Sequence, residues 1–224
     1  MSPFRPERED LPEEFPVFPL TGALLLPQGR LPLNIFEPRY LAMIEDALAA
    51  KRMFGMIQPD RGLPDGPTGP GLFRVGCLGR LSSFSETEDG RYLITLTGVI
   101  RFRIVTELEM RRGYRRARAD FSRFLTDLAA PAEPPMIDRA AILAALRGYF
   151  DHRGFNANWD AINAMGDDEL VVSLGMACPF EPAEKQALLE APTHADRAQT
   201  LLALLNIDMH GPNDEAAASR PRAS

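Results

Sequence analysis

In "RYLITLTGVIRFRIV", residues 91–105, the apolar side chains Tyr92, Ile94, Leu96, Ile100, Phe102 and Ile104 fall on even positions. Thr95, Thr97, Arg101 and Arg103 take the odd ones. A period of two sustained over that length cannot sit as a helix, so it prescribes one long strand with an apolar wall, or two strands joined at Gly98. Gly98 interrupts the even series where a barrel strand needs a kink or bulge. The Asp89-Gly90 turn makes "VGCLGRLSSFS" the antiparallel partner upstream, and "YRRARADF" alternates again downstream. Arg101 and Arg103, sharing a face with threonines, are expected on a solvated side of the sheet.

The period changes after "APAEPPM" at 130–136, where three prolines make a stiff connector. Ile142, Leu143, Leu146, Tyr149 and Phe150 form a helical stripe, and Leu201, Leu202, Leu204 and Leu205 form the last one. Between them, "GDDELVVSLGMACPF" begins with acids suited to a helix N-terminus, Pro182 suits a first helical position, and Thr193 and Asp196 have capping-box spacing. Four helices in a small antiparallel bundle are expected. Strands first and helices second give an α+β class. The expected division is a disordered tail at 1–14, a β-barrel subdomain at 15–122, a Pro-rich linker at 123–135, a helical bundle at 136–210 and a second disordered tail at 211–224.

The residues of several chemistries are missing. The chain has two lysines, Lys51 and Lys185, and neither closes a GxxxxGK[ST] loop, so a phosphate-cradling ATPase site is excluded. Both lysines read as solvated residues near helix ends, which leaves no Ser/Lys dyad. No GxSxG surrounds Ser173, and His152, His194 and His210 read as exposed groups near helix ends or in the tail, without metal-ligand spacing. Cys77 and Cys178 are lone thiols expected in the core. No catalytic residue, cofactor site or metal site is therefore assigned, and the chain is expected not to be an enzyme. No apolar run reaches the length of a bilayer span and no signal-peptide core opens the chain, so no membrane contact and a cytoplasmic address are expected.

The formal charge is −4 over residues 1–90, +6 over 91–123 and −8 over 124–224. A basic middle raises nucleic acid as a partner, through Arg101, Arg103, Arg111, Arg112, Arg115, Arg116 and Arg118. Without interleaved exposed aromatics and in a chain that is acidic overall, pairing with the acidic helical half is the expectation instead.

"FPL", "LLLPQGRLPLNIFEPRYLAMIEDAL", "FGMI", "VGCLGRL" and "DGRYLITLTGVIRFRI" follow one another in an order and spacing that resemble the N-terminal domain of the Lon protease family over about residues 15–122. The helical half, with "ACPFEPAEKQALLEA" and "RAQTLLALL", is similar to the bundle that completes that domain. The resemblance implies a PUA-like β pseudobarrel with one covering helix and a C-terminal helical bundle. It also implies a stand-alone, non-catalytic module that binds unfolded or extended protein segments, as an adaptor or substrate-screening protein. A PUA-like RNA-binding protein and an assembly module of a separate Lon protease are the alternatives, and the oligomeric state is left open.

Two binding surfaces are open to an extended peptide. One is the loop 59–71, in which eight of thirteen residues are Gly or Pro, and the other is an unpaired edge of the sheet. Leu63, Leu72, Phe73 and Phe84 are the candidate peptide contacts. In "IFEPRY", Phe36, Glu37, Pro38, Arg39 and Tyr40 read as a strand-to-helix joint: Ile35 and Phe36 buried, Pro38 opening an amphipathic helix, and Arg39 reaching back to Glu37.

Overall fold

The computed structural model describes residues 6–129 and 137–209. Six strands, β1 (Glu14–Pro19), β2 (Arg30–Ile35), β3 (Met53–Ile57), β4 (Val75–Glu86), β5 (Tyr92–Arg111) and β6 (Tyr114–Asp120), form one sheet in the order β2-β5-β4-β3-β1-β6. β5 also pairs with β6, so the ring β5-β4-β3-β1-β6 closes on itself and β2 lies outside it on β5. All neighbours are antiparallel except β1 and β3. Closure is possible because β5 is 20 residues long: its first part carries β2, and its last part carries β6.

The period-two wall faces inward as expected. Ile94, Leu96, Ile100, Phe102 and Ile104 are all buried, and Phe102 packs edge-on against Phe15 at a centroid distance of 5.0 Å. Gly98 marks a bulge, since Leu78 pairs with Ile100 and Gly79 with Gly98, which leaves Val99 unmatched. The loop before β2 lies against this point: the Gln28 amide donates to the Gly98 carbonyl at 2.8 Å. A Cβ at residue 98 would collide with the Leu26 carbonyl, so the position has room only for glycine.

α1 (Pro38–Leu48) buries Tyr40, Met43, Ile44 and Ala47, with the Tyr40 ring 4.2 Å from that of Phe18. The β5–β6 hairpin grips its other side. Tyr114 donates to Asp46 at 2.6 Å, and Arg112 donates to Asp46 and to Glu45 at 3.0 and 2.6 Å.

The helices after the connector number five among the described residues: α2 (Arg139–Arg153), α3 (Trp159–Ala164), α4 (Asp167–Ala177), α5 (Pro182–Glu190) and α6 (His194–Met209). The expected four lacked α3, a six-residue helix capped by Asn158 and too short to show a period. Two compact units result. One holds the sheet, α1, the end of α4 and α5, and the other holds α2, α3, most of α4 and α6. The expected bundle is therefore not one unit, because residues 175–190 go with the sheet.

A buried polar network fixes α5 there. Gln58 donates to the Pro182 carbonyl at 3.0 Å, Gln186 to the Val75 carbonyl at 3.0 Å, and Lys185 to the Gly22 carbonyl at 2.7 Å. In the other unit, Asp138 caps α2 and Thr193 with Asp196 forms the capping box of α6.

The chain ends differ from expectation where they are described. Arg8–Asp10 form a 3-10 turn closed by a Glu7–Asp10 capping box, and Ser122–Leu128 form another 3-10 segment within the expected linker. The rest of the expected tails and the proline part of the linker lie outside the described residues.

Candidate functional site: the free edge of β4

β3 ends its pairing with β4 at Arg80, opposite Met53, while β4 continues to Glu86. β5 holds one side of residues 81–86, and the other side is an open edge. Arg52 has a positive φ of 60°, which turns the chain away, and its carbonyl takes only the Leu81 amide, at 2.8 Å. Beyond it, Ser82, Ser83, Phe84, Ser85 and Glu86 are all exposed.

By register, Phe84 lies opposite Ile94 and Glu86 opposite Tyr92, so both point to one face, while Ser83 and Ser85 point to the other beside Thr95 and Leu93. Phe84 is 41% exposed and meets Tyr92 edge-on at 4.9 Å. The second free edge, along β2, carries Pro32, which lacks the N–H that an added strand needs. Of these two edges, that of β4 is the unblunted one. Glu86 was missed in the sequence, because only the structure shows that β3, five residues long, stops short of its twelve-residue partner.

The four candidate peptide contacts do not form one patch. Leu63 is exposed in the 59–71 loop and Phe73 is half-buried, but Leu72 is only 7% exposed and belongs to the core. Phe84 stands nine residues along β4 from Val75, roughly 30 Å at the rise of a strand. The loop is also less adaptable than its composition suggested. Arg115 holds Glu107 through two nitrogens at 2.7 and 2.9 Å and donates to the Pro70 carbonyl at 2.7 Å, which fastens the loop to the hairpin.

At the "IFEPRY" joint, Pro38 opens α1, and Arg39 donates to Glu37 at 2.8 and 3.0 Å. Ile35 is buried and Phe36, expected to be buried, is 63% exposed. Alternation explains it: Ile35 lies opposite Tyr92 on the inner face, so the next residue turns outward.

The arginines are engaged, and with carboxylates of the sheet unit rather than of the helical half. Arg101, expected on a solvated face, is buried against Asp127 at 2.8 and 2.9 Å, because the 3-10 segment covers that face. Arg111 and Arg112 reach Asp46, Arg115 reaches Glu107, and Arg116 and Arg118 reach Glu14. Arg103 alone of the seven is exposed without such a pair among the described residues. Guanidiniums committed in this way offer little to a phosphate backbone.

Other titratable groups have structural settings. Lys185 is buried rather than solvated, and desolvation pushes its ammonium pKa down, while burial pushes the Cys178 thiol up to about 12, away from reactivity. His194 is partly buried, 3.2 Å from Asp168, whereas His152 is exposed as expected and His210 lies outside the described residues. A cleft of about 340 Å³ beside the N-terminal turn is lined by Leu11, Phe121 and Leu125 with Glu9, Glu13 and Asp120, and Asp120 is taken up by Ser122 at 2.9 Å. Among the described residues, no group of three or more His, Cys, Asp or Glu is placed to hold a metal ion. No helix there is long and apolar enough to cross a membrane.

A closed sheet capped by one helix, with a helical unit following, defines an α+β pseudobarrel domain of the PUA-like kind. Residues 14–207 match the family model described as the ATP-dependent protease La (LON) substrate-binding domain, and the chain belongs to that family. It is 29% identical over 113 residues to Lon protease 2 of Myxococcus xanthus, covering 50% of this chain and 14% of that protein. Lon protease 2 of Thermus thermophilus is 23% identical over 206 residues, covering 89% of this chain and 25% of the relative. The chain thus spans only a small part of these curated relatives. Two solved structures share the fold. The Lon N-terminal domain protein from Xanthomonas campestris has a TM-score of 0.58 at 21% identity, covering 85% of this chain and 97% of its own. The N-terminal domain of the Mycobacterium avium complex Lon protease has a TM-score of 0.59 at 18% identity, covering 86% and 98%.

Proposed function

We propose that this domain is a non-catalytic protein-binding module that takes unfolded or extended segments of other proteins as an added strand on residues 82–86 of β4. The observation that carries the reading is the length mismatch between β3 and β4, which leaves backbone donors and acceptors aligned and unpaired beside an exposed aromatic side chain. Main-chain bonds supply affinity without demanding a sequence, which suits screening of many substrates. Ordering a flexible partner keeps that affinity modest.

The family's substrate-binding description agrees with this role. A cytoplasmic setting, and a place as adaptor to a separate Lon protease, go with the reading. Adding the domain to purified Lon should change the degradation rate of an unfolded substrate, and an unchanged rate removes the adaptor role.

Hydrogen exchange tests the surface itself. Saturation with an extended apolar peptide should slow exchange of outward amides in 82–86, and alternate N-methylation along one edge of the peptide should abolish the effect. Protection confined to the 59–71 loop would refute the assignment.

A further inference from the structure

The edge of β4 carries a chemical bias as well as free backbone. Phe84 and Glu86 are two residues apart on one face, each directly opposite a mapped residue of β5. A strand laid on the free edge must set one of its side chains beside Phe84 and another, two positions away, beside Glu86. Tyr92 covers one side of the Phe84 ring edge-on and leaves the rest accessible.

Glu86 makes no ion pair among the described residues, whereas nearby Arg91 and Glu45 do. Arg91 is held by Asp89 at 2.8 Å and Glu45 by Arg112 at 2.6 Å. Glu45 and Glu86 both act on the Tyr92 phenol, behind burial as the main cause, in holding its proton on. Arg112, the cation that also acts on this phenol, is committed to Glu45 and Asp46, which leaves the Glu86 carboxylate open to a cation from a partner. Ser83 and Ser85, facing the other way, are small and impose no choice. Because β3 runs antiparallel to β4 along this same edge, a peptide continuing its line runs antiparallel too, so the residue facing Glu86 precedes the one facing Phe84.

We infer that the edge selects extended protein segments with the order basic, any, large apolar, the cation against Glu86 and the apolar side chain against Phe84. This rests on the strand-addition reading above and specifies its register.

The test uses three labelled peptides of eleven residues, differing only at one position in a Lys-Thr-Phe, Gln-Thr-Phe or Glu-Thr-Phe centre, titrated by fluorescence anisotropy. The lysine peptide should bind about two- to fivefold tighter than the glutamine peptide, and the glutamate peptide weaker by a similar factor. The spread should narrow as salt is raised. Glu86→Lys should invert the order, with an unchanged far-UV spectrum and urea midpoint showing that this exposed variant is folded.

Equal affinities for all three overturn the register while leaving strand addition standing. An equal gain for all three peptides in Glu86→Gln shows a charge that merely guards the edge, and also overturns it. If none of the peptides binds saturably, strand addition itself falls and the inference falls with it.

Discussion

Removing the Asp127 carboxylate isolates the most deeply buried charge pair of the sheet unit. Side chains of Arg101 and Asp127 are 4% and 9% exposed. Asp127 accepts from Arg101 Nε, from Nη2 and from the Arg101 backbone amide at 2.9, 2.8 and 3.0 Å, and Arg101 Nη1 also donates to the Leu189 carbonyl at 3.2 Å. Asp127→Ala deletes three acceptor contacts at once and leaves a guanidinium and an amide without them in a dry site. Breaking such a pair costs about 3 to 5 kcal/mol. At about 2 to 4 °C of Tm per kcal/mol for a chain of this size, the melting point should drop by roughly 6 to 20 °C.

Arg101→Leu should cost about the same, but the double variant Arg101→Leu/Asp127→Leu should cost only about 1 to 3 kcal/mol, chiefly for the orphaned Arg101 amide and Leu189 carbonyl. Urea unfolding followed by circular dichroism, with the slope held common, supplies all corners of the cycle. A cost below about 1 kcal/mol for Asp127→Ala, or a double variant equal to the sum of the singles, would refute the claim that burial makes this pair structural.

Phe36→Ala should change stability by no more than about 0.5 kcal/mol because the ring is in water, while Ile35→Ala should cost about 2 to 5 kcal/mol; the same urea assay separates them. Burial, then the hydrogen bond to Asp46, pushes the Tyr114 phenol up to about 12. Its contribution should be intact below pH 10 and lost as pH rises toward 12, and an ultraviolet titration should show a tyrosine ionising at about 12 that Tyr114→Phe removes. His194 is held below its ordinary value of 6.5 by burial first, with Arg197 adding to the shift and Asp168 opposing it. The folded helical unit therefore binds that proton less readily than the unfolded chain, so stability should fall as pH drops below about 6.5. His194→Gln should flatten that slope, and a ring-proton titration placing His194 above 6.5 would reverse the sign.

What could be read in the sequence was whatever follows from a local period. The even-position wall of β5, the glycine at its bulge, the stripe of α1 and the capping box of α6 each depend on residues within one or two turns of one another. What could not be read depends on partners far along the chain. Arg101 looks solvated beside Thr95 and Thr97 until Asp127 is folded over it. Lys185 looks solvated on its own helix until the Gly22 carbonyl is placed within reach. Phe36 was misplaced for a different reason: two successive apolar residues at a strand end cannot both face inward, and only the pairing of Ile35 with Tyr92 decides which one does. The same holds for the β4 edge, since Glu86 becomes noticeable only when β3 is seen to stop short.

The closed ring also has a consequence for synthesis. β1 opens at Glu14, its partner β6 ends at Asp120, and the helix that satisfies Gln58 and Arg101 ends at Glu190. A ribosome adding about 5 to 20 residues per second needs roughly 10 to 35 s to pass from one end of that span to the other. β3 has both strand neighbours once β4 is made, but β1 lacks β6 until residue 120 is added, and until then Phe15 and Val17 have no finished core to enter. A newly made copy of this domain therefore passes through a stage as an extended, apolar chain, of the kind proposed above as a ligand for its finished edge.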